Sequence, residues 1–400
     1  MKEVYLDYAA TTPVSSEVMS EMLPYFSDVY GNPSSIHKAG EDAAQGVRLA
    51  RSRVANFLNC DPEEIIFTSG ATEGNNSVIK SATKTQVSGE KPHIVISAVE
   101  HSSVLEPAKE AADEGLVDLT IIPVQPNGRV DSDLILQSIR PETVLISIMY
   151  ANNETGVIQP IEEIGKRIAE LNKTRKNKIV FHTDAVQAVN YLNCDVKNLD
   201  VDIMTLSAHK IYGPKGVGVL LVKKGTLIHP LLVGGGQEYG LRAGTLNTAG
   251  IVGIGTAIEQ VQNYRAENER MAVVRNYLLD GILSSIDGSF LNGSRENSLP
   301  NIANVRFEGV EGESVMMALN DKGFFVSTGS ACASESLSPS HVLLAMGLSE
   351  IDAHGSVRFS IGRYTEEKDI KELLSVLPEI IDRLRNISGS IKEDIKKLVT

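Results

Sequence analysis

The stretch "VDIMTLSAHKIYGPKG", Val201 to Gly216, is an apolar run that stops on a serine, a histidine and a lysine, then turns through Pro214 and Gly216. A lysine at the carboxyl end of a buried strand costs free energy to desolvate unless it is used there. Taken alone, Lys210 reads as a surface lysine whose stem lies along apolar surface. The alternative is a lysine held for covalent chemistry. The same texture repeats on both sides of it. "EIIF", "HIVIS", "LTIIPV", "TVLISIMY" and "KIVFHT" come before "DIMTLSA", and "VGVLLV" follows, all between about residues 64 and 222. Each is short, rich in Ile and Val, and bounded by polar or glycine-containing turns, as buried strands are. Helical segments such as "NNSVIKSAT" and "PIEEIGKRIAELNK" lie between them. That alternation predicts an α/β domain with a mainly parallel, seven-stranded sheet. Ligands of such sheets bind beyond the carboxyl ends of the strands, so the polar residues that follow each run are the ones to inspect.

The 400 residues, 42% hydrophobic with 33 glycines and 15 prolines, describe a globular chain of one large and one smaller domain, or of two comparable ones. The start, "MKEVYLDYAATTPV", holds no apolar core of signal-peptide length, and no stretch reaches the roughly 18 apolar residues of a membrane span. A net charge of −13 argues against nucleic-acid or membrane-surface binding. Cys60, Cys194 and Cys332 lack metal-ligand spacing and fit a reducing cytoplasm. Beyond about residue 262 the pattern changes. "NYRAENERMAVVRNYLLDGILSSI" predicts a long amphipathic helix, "NIANVRFEG" and "VRFSIGRYT" are mixed segments, and a terminal helix ends in the tail "ISGSIKEDIKKLVT". These predict a smaller α+β domain that also takes in the N-terminal strand. There is no internal repeat or low-complexity linker.

Five strand ends carry chemistry. After "EIIF" come Gly70, Ala71 and Thr72 at a probable helix start, which is either a phosphate cradle of free N–H groups or a plain Thr N-cap. After "HIVIS" comes His101, and after "TVLISIMY" come Asn152, Asn153 and Glu154. After "KIVFHT" come Asp184 and Gln187, and after "DIMTL" come Ser207, His209 and Lys210. Singly, each has an ordinary reading: a satisfied polar histidine, a helix-capping aspartate. Together they meet the needs of pyridoxal phosphate. Its aldehyde needs a lysine, its ring nitrogen a carboxylate, its phosphate N–H and O–H donors, and its face an aromatic or imidazole ring. Lys210 is then the Schiff-base lysine.

"LDYAATTP", "YGNPSS", "FTSGATEGNN", "VEHSSV", "NNETG", "TDAVQA", "SAHKIYGPKGVG", "GGGQEYGLRAGT", "STGSACAS" and "VRFSIGRYT" occur in order along essentially the whole chain. Together they resemble the cysteine desulfurases of the iron–sulfur-cluster-assembly branch, within the class V aminotransferases. The resemblance implies the fold type I, aspartate-aminotransferase-like architecture. A large pyridoxal-phosphate domain would cover 15–262, and a small domain would form from 1–14 and 263–400. It implies that Lys210 holds the cofactor, His101 stacks on its ring, Asp184 pairs with the ring nitrogen, and Gln187 and Asn153 contact the ring's phenolic oxygen and its surroundings. Thr72, Ser207 and His209 would bind the phosphate, helped by the Ala71 backbone, and Thr245 would reach the phosphate of the neighbouring subunit in a homodimer. Arg358 would clamp the substrate carboxylate, with Asn32 also at the substrate. No resident metal is implied, although Cys332 would ligate an iron–sulfur cluster in transfer.

Many enzymes share such a cofactor site, so the reaction rests on "STGSACASESLSPSH" around Cys332. This Ser-, Gly- and Ala-rich run, about 327–341, has no apolar periodicity and reads as a loop. Cys60 and Cys194 read as structural thiols, whereas Cys332 reads as the nucleophile that takes sulfur from L-cysteine, leaving a persulfide and alanine. The sulfur would pass to an iron–sulfur scaffold protein or another thiolation acceptor. The rivals are a selenocysteine lyase or aminotransferase on the same fold, and a sulfur-relay scaffold.

Overall fold

The computed structural model describes residues 3–87, 90–263, 267–329 and 338–399. After a short first strand, β1 (Val4–Tyr5), the seven apolar runs form one sheet. They are β2 (Ile65–Thr68), β3 (His93–Ser97), β4 (Asp118–Ile122), β5 (Thr143–Ser147), β6 (Val180–Asp184), β7 (Ile203–Ser207) and β8 (Gly218–Val222), in the order β2-β8-β7-β6-β5-β3-β4. Neighbours from β7 through β4 run parallel. β8 runs antiparallel to both β7 and β2. The link from Ala208 to Val217 is too short for the crossover of a dozen or more residues that a parallel return requires.

Alternate side chains of each strand serve opposite faces. Phe67, Met204, Leu206 and Leu221 pack with the helices Lys38–Leu58, Ile161–Asn172 and Thr248–Asn263. Ile66, Ile203, Leu220 and Val222 pack with the helices Ala71–Ala82 and Ser102–Asp113. Layers on both faces explain why these strands read as continuous apolar runs rather than as alternating ones. The edge strand β4 differs from the buried strand expected there, with Asp118 and Ile121 exposed.

The rest of the chain builds a second core. β9 (Ser289–Leu291), β10 (Ile302–Phe307) and β12 (Ser356–Ser360) form an antiparallel sheet in the order β12-β10-β9, and β1 pairs in parallel with β11 (Phe324–Phe325). Val4 and Leu6 from the N-terminus share this core with Leu278, Val305, Phe359 and Leu377. Near 263–286, where one long helix is predicted, the helix Thr248–Asn263 ends and a second runs over Glu267–Ser285. Residues 264–266 lie outside the described residues. The predicted tail continues the last helix, Glu367–Val399. Among the described residues no helix is long and apolar enough to cross a membrane.

Candidate active site

The carboxyl ends of the parallel strands open on a cavity of about 620 Å³, a volume suited to a small cofactor with its substrate. Register assembles its floor. Thr68 and Ser207 both pair with Gly218, so the ends of β2 and β7 lie level across β8. Asp184, which ends β6, pairs with Thr205 on β7. Ala71, Thr72, His101, Asn153, Asp184, Gln187, Ser207, His209, Lys210 and Arg358 all line this cavity.

The helix Ala71–Ala82 starts with Gly70 as N-cap and has no side-chain cap bond, so Thr72 is not the cap. Its first-turn N–H groups face the cavity edge with the positive end of the helix dipole behind them, a ready anion site. The first-turn Glu73 is engaged elsewhere. It accepts from Arg242 Nε at 3.0 Å and from the Ser69 N–H at 2.8 Å. Although burial acts the other way, these donors hold its carboxyl below the usual range. Burial, and then the charges of Lys210 and Lys215, push the His209 imidazole down to about 4, so it is neutral at pH 7. Its Nδ1 lies 3.2 Å from Thr11 Oγ1.

Lys210 Nζ donates to the carbonyls of Ala9 and Ala10, each at 2.7 Å. Gln187 Nε2 donates to the same Ala9 carbonyl at 3.0 Å. Buried Asp184 accepts from Asn75 Nδ2 at 2.7 Å and from the Val186 N–H at 3.0 Å. It therefore caps a turn rather than a helix. His101 is the N-cap of the helix Ser102–Asp113 through its Nδ1. Arg358, 2% exposed on β12, donates through Nη2 to Asp7 Oδ1 at 2.7 Å and through Nη1 to the Asn153 carbonyl at 2.9 Å.

Cys332 lies outside the described residues. The chain on either side of it, at Gly329 and His341, lines the cavity. Asn32 and Thr245 are exposed and absent from the cavity wall, and the Asn32 side chain turns back to accept the Ser34 N–H at 3.0 Å. Cys194 is buried, and burial pushes the Cys60 thiol up to about 12, which suits the structural role read for both. Among the described residues no three or more His, Cys, Asp or Glu side chains converge for a metal.

Sequence reading missed Asn75, Ser103, Asp7 and the carbonyls of Ala9 and Ala10. An asparagine inside an amphipathic helix was the one available signal, since that residue type favours caps and turns. The donor set fits pyridoxal phosphate. An uncapped helix start, serine, threonine and neutral histidine line one cavity together with a carboxylate and a lysine.

The chain matches the model of the aminotransferase class-V family over residues 4–373. It is 47% identical to a cysteine desulfurase IscS from Dictyoglomus turgidum over 388 residues, 97% of this chain and 96% of that protein. It is 44% identical to one from Methanosarcina thermophila over 398 residues, 99% and 96% of the two chains. Among solved structures, a NifS-like protein superposes with a TM-score of 0.88 at 36% identity, covering 96% of this chain and 100% of the other. SspA in complex with cysteine superposes at 0.79 with 38% identity, covering 91% and 100%.

Proposed function

The chain belongs to the class-V aminotransferase family and is a cysteine desulfurase within it; from that premise we propose how its own residues divide the work. The observation that carries the assignment is the convergence of Lys210, Asp184, His101, Gln187 and Ser207 with the uncapped helix start on one cavity. When bound, pyridoxal phosphate supplies an aldehyde for amines and a ring that withdraws electrons from the carbon beside the amine. The Lys210 amine would hold the aldehyde and, once displaced, move the proton at the substrate's α-carbon. Asp184 would hold a proton at the ring nitrogen, because a facing carboxylate favours the charged form. Gln187 and Asn153 would contact the phenolic oxygen, and the Ala71 N–H with Thr72, Ser207 and His209 would take the phosphate. His101 would cover the ring and exchange a proton with the substrate thiol.

Arg358 is aimed by Asp7 and the Asn153 carbonyl, and a planar donor so held suits a carboxylate such as that of L-cysteine. The Cys332 thiolate then attacks the substrate sulfur. An S–S bond forms and the C–S bond breaks. The carbon fragment takes up the electron pair and a proton and leaves as alanine, with the sulfur retained as a persulfide on Cys332. We propose an iron–sulfur scaffold or another thiolation protein as acceptor, and the cytoplasm as the reducing compartment in which thiols persist. Thr245 would reach the phosphate of the neighbouring subunit across a homodimer interface, and Asn32 would stand at the substrate. Exposed apolar side chains flank both, Tyr30 and Ile36 on one segment and Leu232, Val233 and Tyr239 on the other. The two cores support a large domain over 15–262 and a small one from 1–14 and 263–400, with Ala9, Leu299 and Ile302 reaching across into the first core.

The test is the purified protein with L-cysteine and a reductant. Equimolar sulfide and alanine from a yellow protein are expected. Cys332→Ala should keep the colour and lose both products. A Cys332→Ala protein that still releases sulfide from cysteine would remove the nucleophile assignment, and a response to selenocysteine alone would point to a lyase.

A further inference from the structure

Asn75 is fully buried in the helix Ala71–Ala82, one turn beyond the N–H groups at the cavity edge. Its Nδ2 donates twice, to Asp184 Oδ2 at 2.7 Å and to Ser103 Oγ at 2.8 Å. Its Oδ1 has no partner among the described residues. The amide orientation is fixed by charge, since the reversed amide would set an oxygen against the Asp184 carboxylate. The Ser103 backbone N–H points at His101 Nδ1 from 3.1 Å, and the Ser103 hydroxyl lies 2.8 Å from the same nitrogen. A backbone N–H only donates, so Nδ1 accepts and the neutral ring carries its proton on Nε2. Ser103 Oγ already accepts from Asn75, which leaves its own O–H to donate to Nδ1. Every bond in the chain therefore points outward from Asn75. One arm ends on Asp184 and the other, through Ser103, on His101.

We infer that Asn75 is a positioning residue that couples these two groups. It holds the Asp184 carboxylate in place and, by donating to Ser103 Oγ, turns the Ser103 O–H onto His101 Nδ1, where it joins the backbone N–H in holding the Nε2–H tautomer. The inference rests on the roles given above to Asp184 and His101 at the cofactor. The coupling is economical because one side-chain amide satisfies two buried acceptors, and leaving either unmet carries a desolvation penalty. In the active enzyme it fixes which ring nitrogen offers a proton before substrate enters. That is the same service a buried orienting group performs for other catalytic histidines.

The experiment is 15N NMR of the full-length protein labelled at histidine, free of cofactor, followed by titration with pyridoxal 5'-phosphate. The variants are Asn75→Leu, which keeps the volume and removes both donors, Ser103→Ala and Ser103→Thr. In the parent protein His101 is expected as a single Nε2–H tautomer. Asn75→Leu and Ser103→Ala should show mixed tautomers and bind the cofactor about tenfold more weakly, the equivalent of one lost hydrogen bond. Ser103→Thr keeps the hydroxyl and should restore both values. An unchanged tautomer in both Asn75→Leu and Ser103→Ala overturns the inference, as does a parent protein with its proton on Nδ1. The tautomer is read without cofactor, so it stands apart from the site assignment. That assignment fails separately if Asp184→Ala binds pyridoxal 5'-phosphate as tightly as the parent.

Discussion

Glu100 sits next to His101 and is fully buried. Its Oε1 accepts from the Met149 N–H at 2.9 Å and from Ser97 Oγ, while Oε2 has no partner among the described residues. Burial, opposed by those donors and aided by the nearby Asp184 charge, pushes its carboxyl up to about 8. The folded protein thus keeps a proton that the unfolded chain loses near the ordinary value of 4.5, so stability falls as pH rises from there to about 8. This one group contributes about 1.4 kcal/mol per pH unit across that window. Glu100→Gln copies the protonated acid and removes the dependence. The Tm of Glu100→Gln relative to the parent is therefore expected to climb steadily between pH 5 and 8 and to level off above. A difference that stays flat would mean that the carboxyl is ionised in the folded protein. Nothing in "VEHSSV" distinguishes this glutamate from a solvated one, because its burial comes from Met149 and His341, distant along the chain.

At the scale of elements, β2, the turn at Gly70 and the helix Ala71–Ala82 form one device that brings an uncapped helix start to the cavity, where the proposed phosphate site lies. Gly70 adopts φ 156° and ψ 177°, a region essentially closed to other residues. A Cβ on Gly218 would lie 2.7 Å from the Gly70 carbonyl carbon and 2.8 Å from the Leu206 oxygen, so β8 passes too close for any side chain there. Gly218→Ala is expected to cost about 1–3 kcal/mol through overpacking and to push the turn outward. Melting curves should show the loss of stability, and the affinity for pyridoxal 5'-phosphate should fall beyond what that loss predicts. Unchanged affinity in the folded variant would separate the turn from the phosphate site. The strands were legible because burial on both faces makes them apolar, the half-exposed edge strand β4 excepted, and Gly70, Ala71 and Thr72 were legible as a helix start. The reversed direction of β8 was hidden, since a strand buried on both sides has the same composition whichever way it runs.

Across the whole molecule, the two cores meet along the N-terminal segment. Val4 and Leu6 belong to one core and Ala9 to the other. Between them Asp7 pairs with Arg358, the Ala9 N–H donates to Ser360 Oγ at 2.9 Å, and the Ala9 and Ala10 carbonyls hold Lys210. "LDYAATTP" was legible as part of a resemblance but gave no hint of this duty, because every partner is about 200 or 350 residues away. Such contacts leave no local period in sequence, unlike helices and strands. Asp7→Ala removes the counter-charge of a buried guanidinium, and losing one partner of such a pair costs more than losing both. With the Asp7 side chain 19% exposed, a loss of roughly 2 kcal/mol is expected, below the full buried-pair cost. The double variant Asp7→Ala/Arg358→Met should recover most of it. Urea melts of the four proteins in that cycle measure the coupling, and limited proteolysis reports whether residues 7–12 come loose. If the losses simply add, the pair is not the tie, and the segment is held by Leu6 and Ala9 through packing alone. If they do not, one ion pair fixes the cavity-lining Arg358 and the strand end of Lys210 with the same short piece of chain.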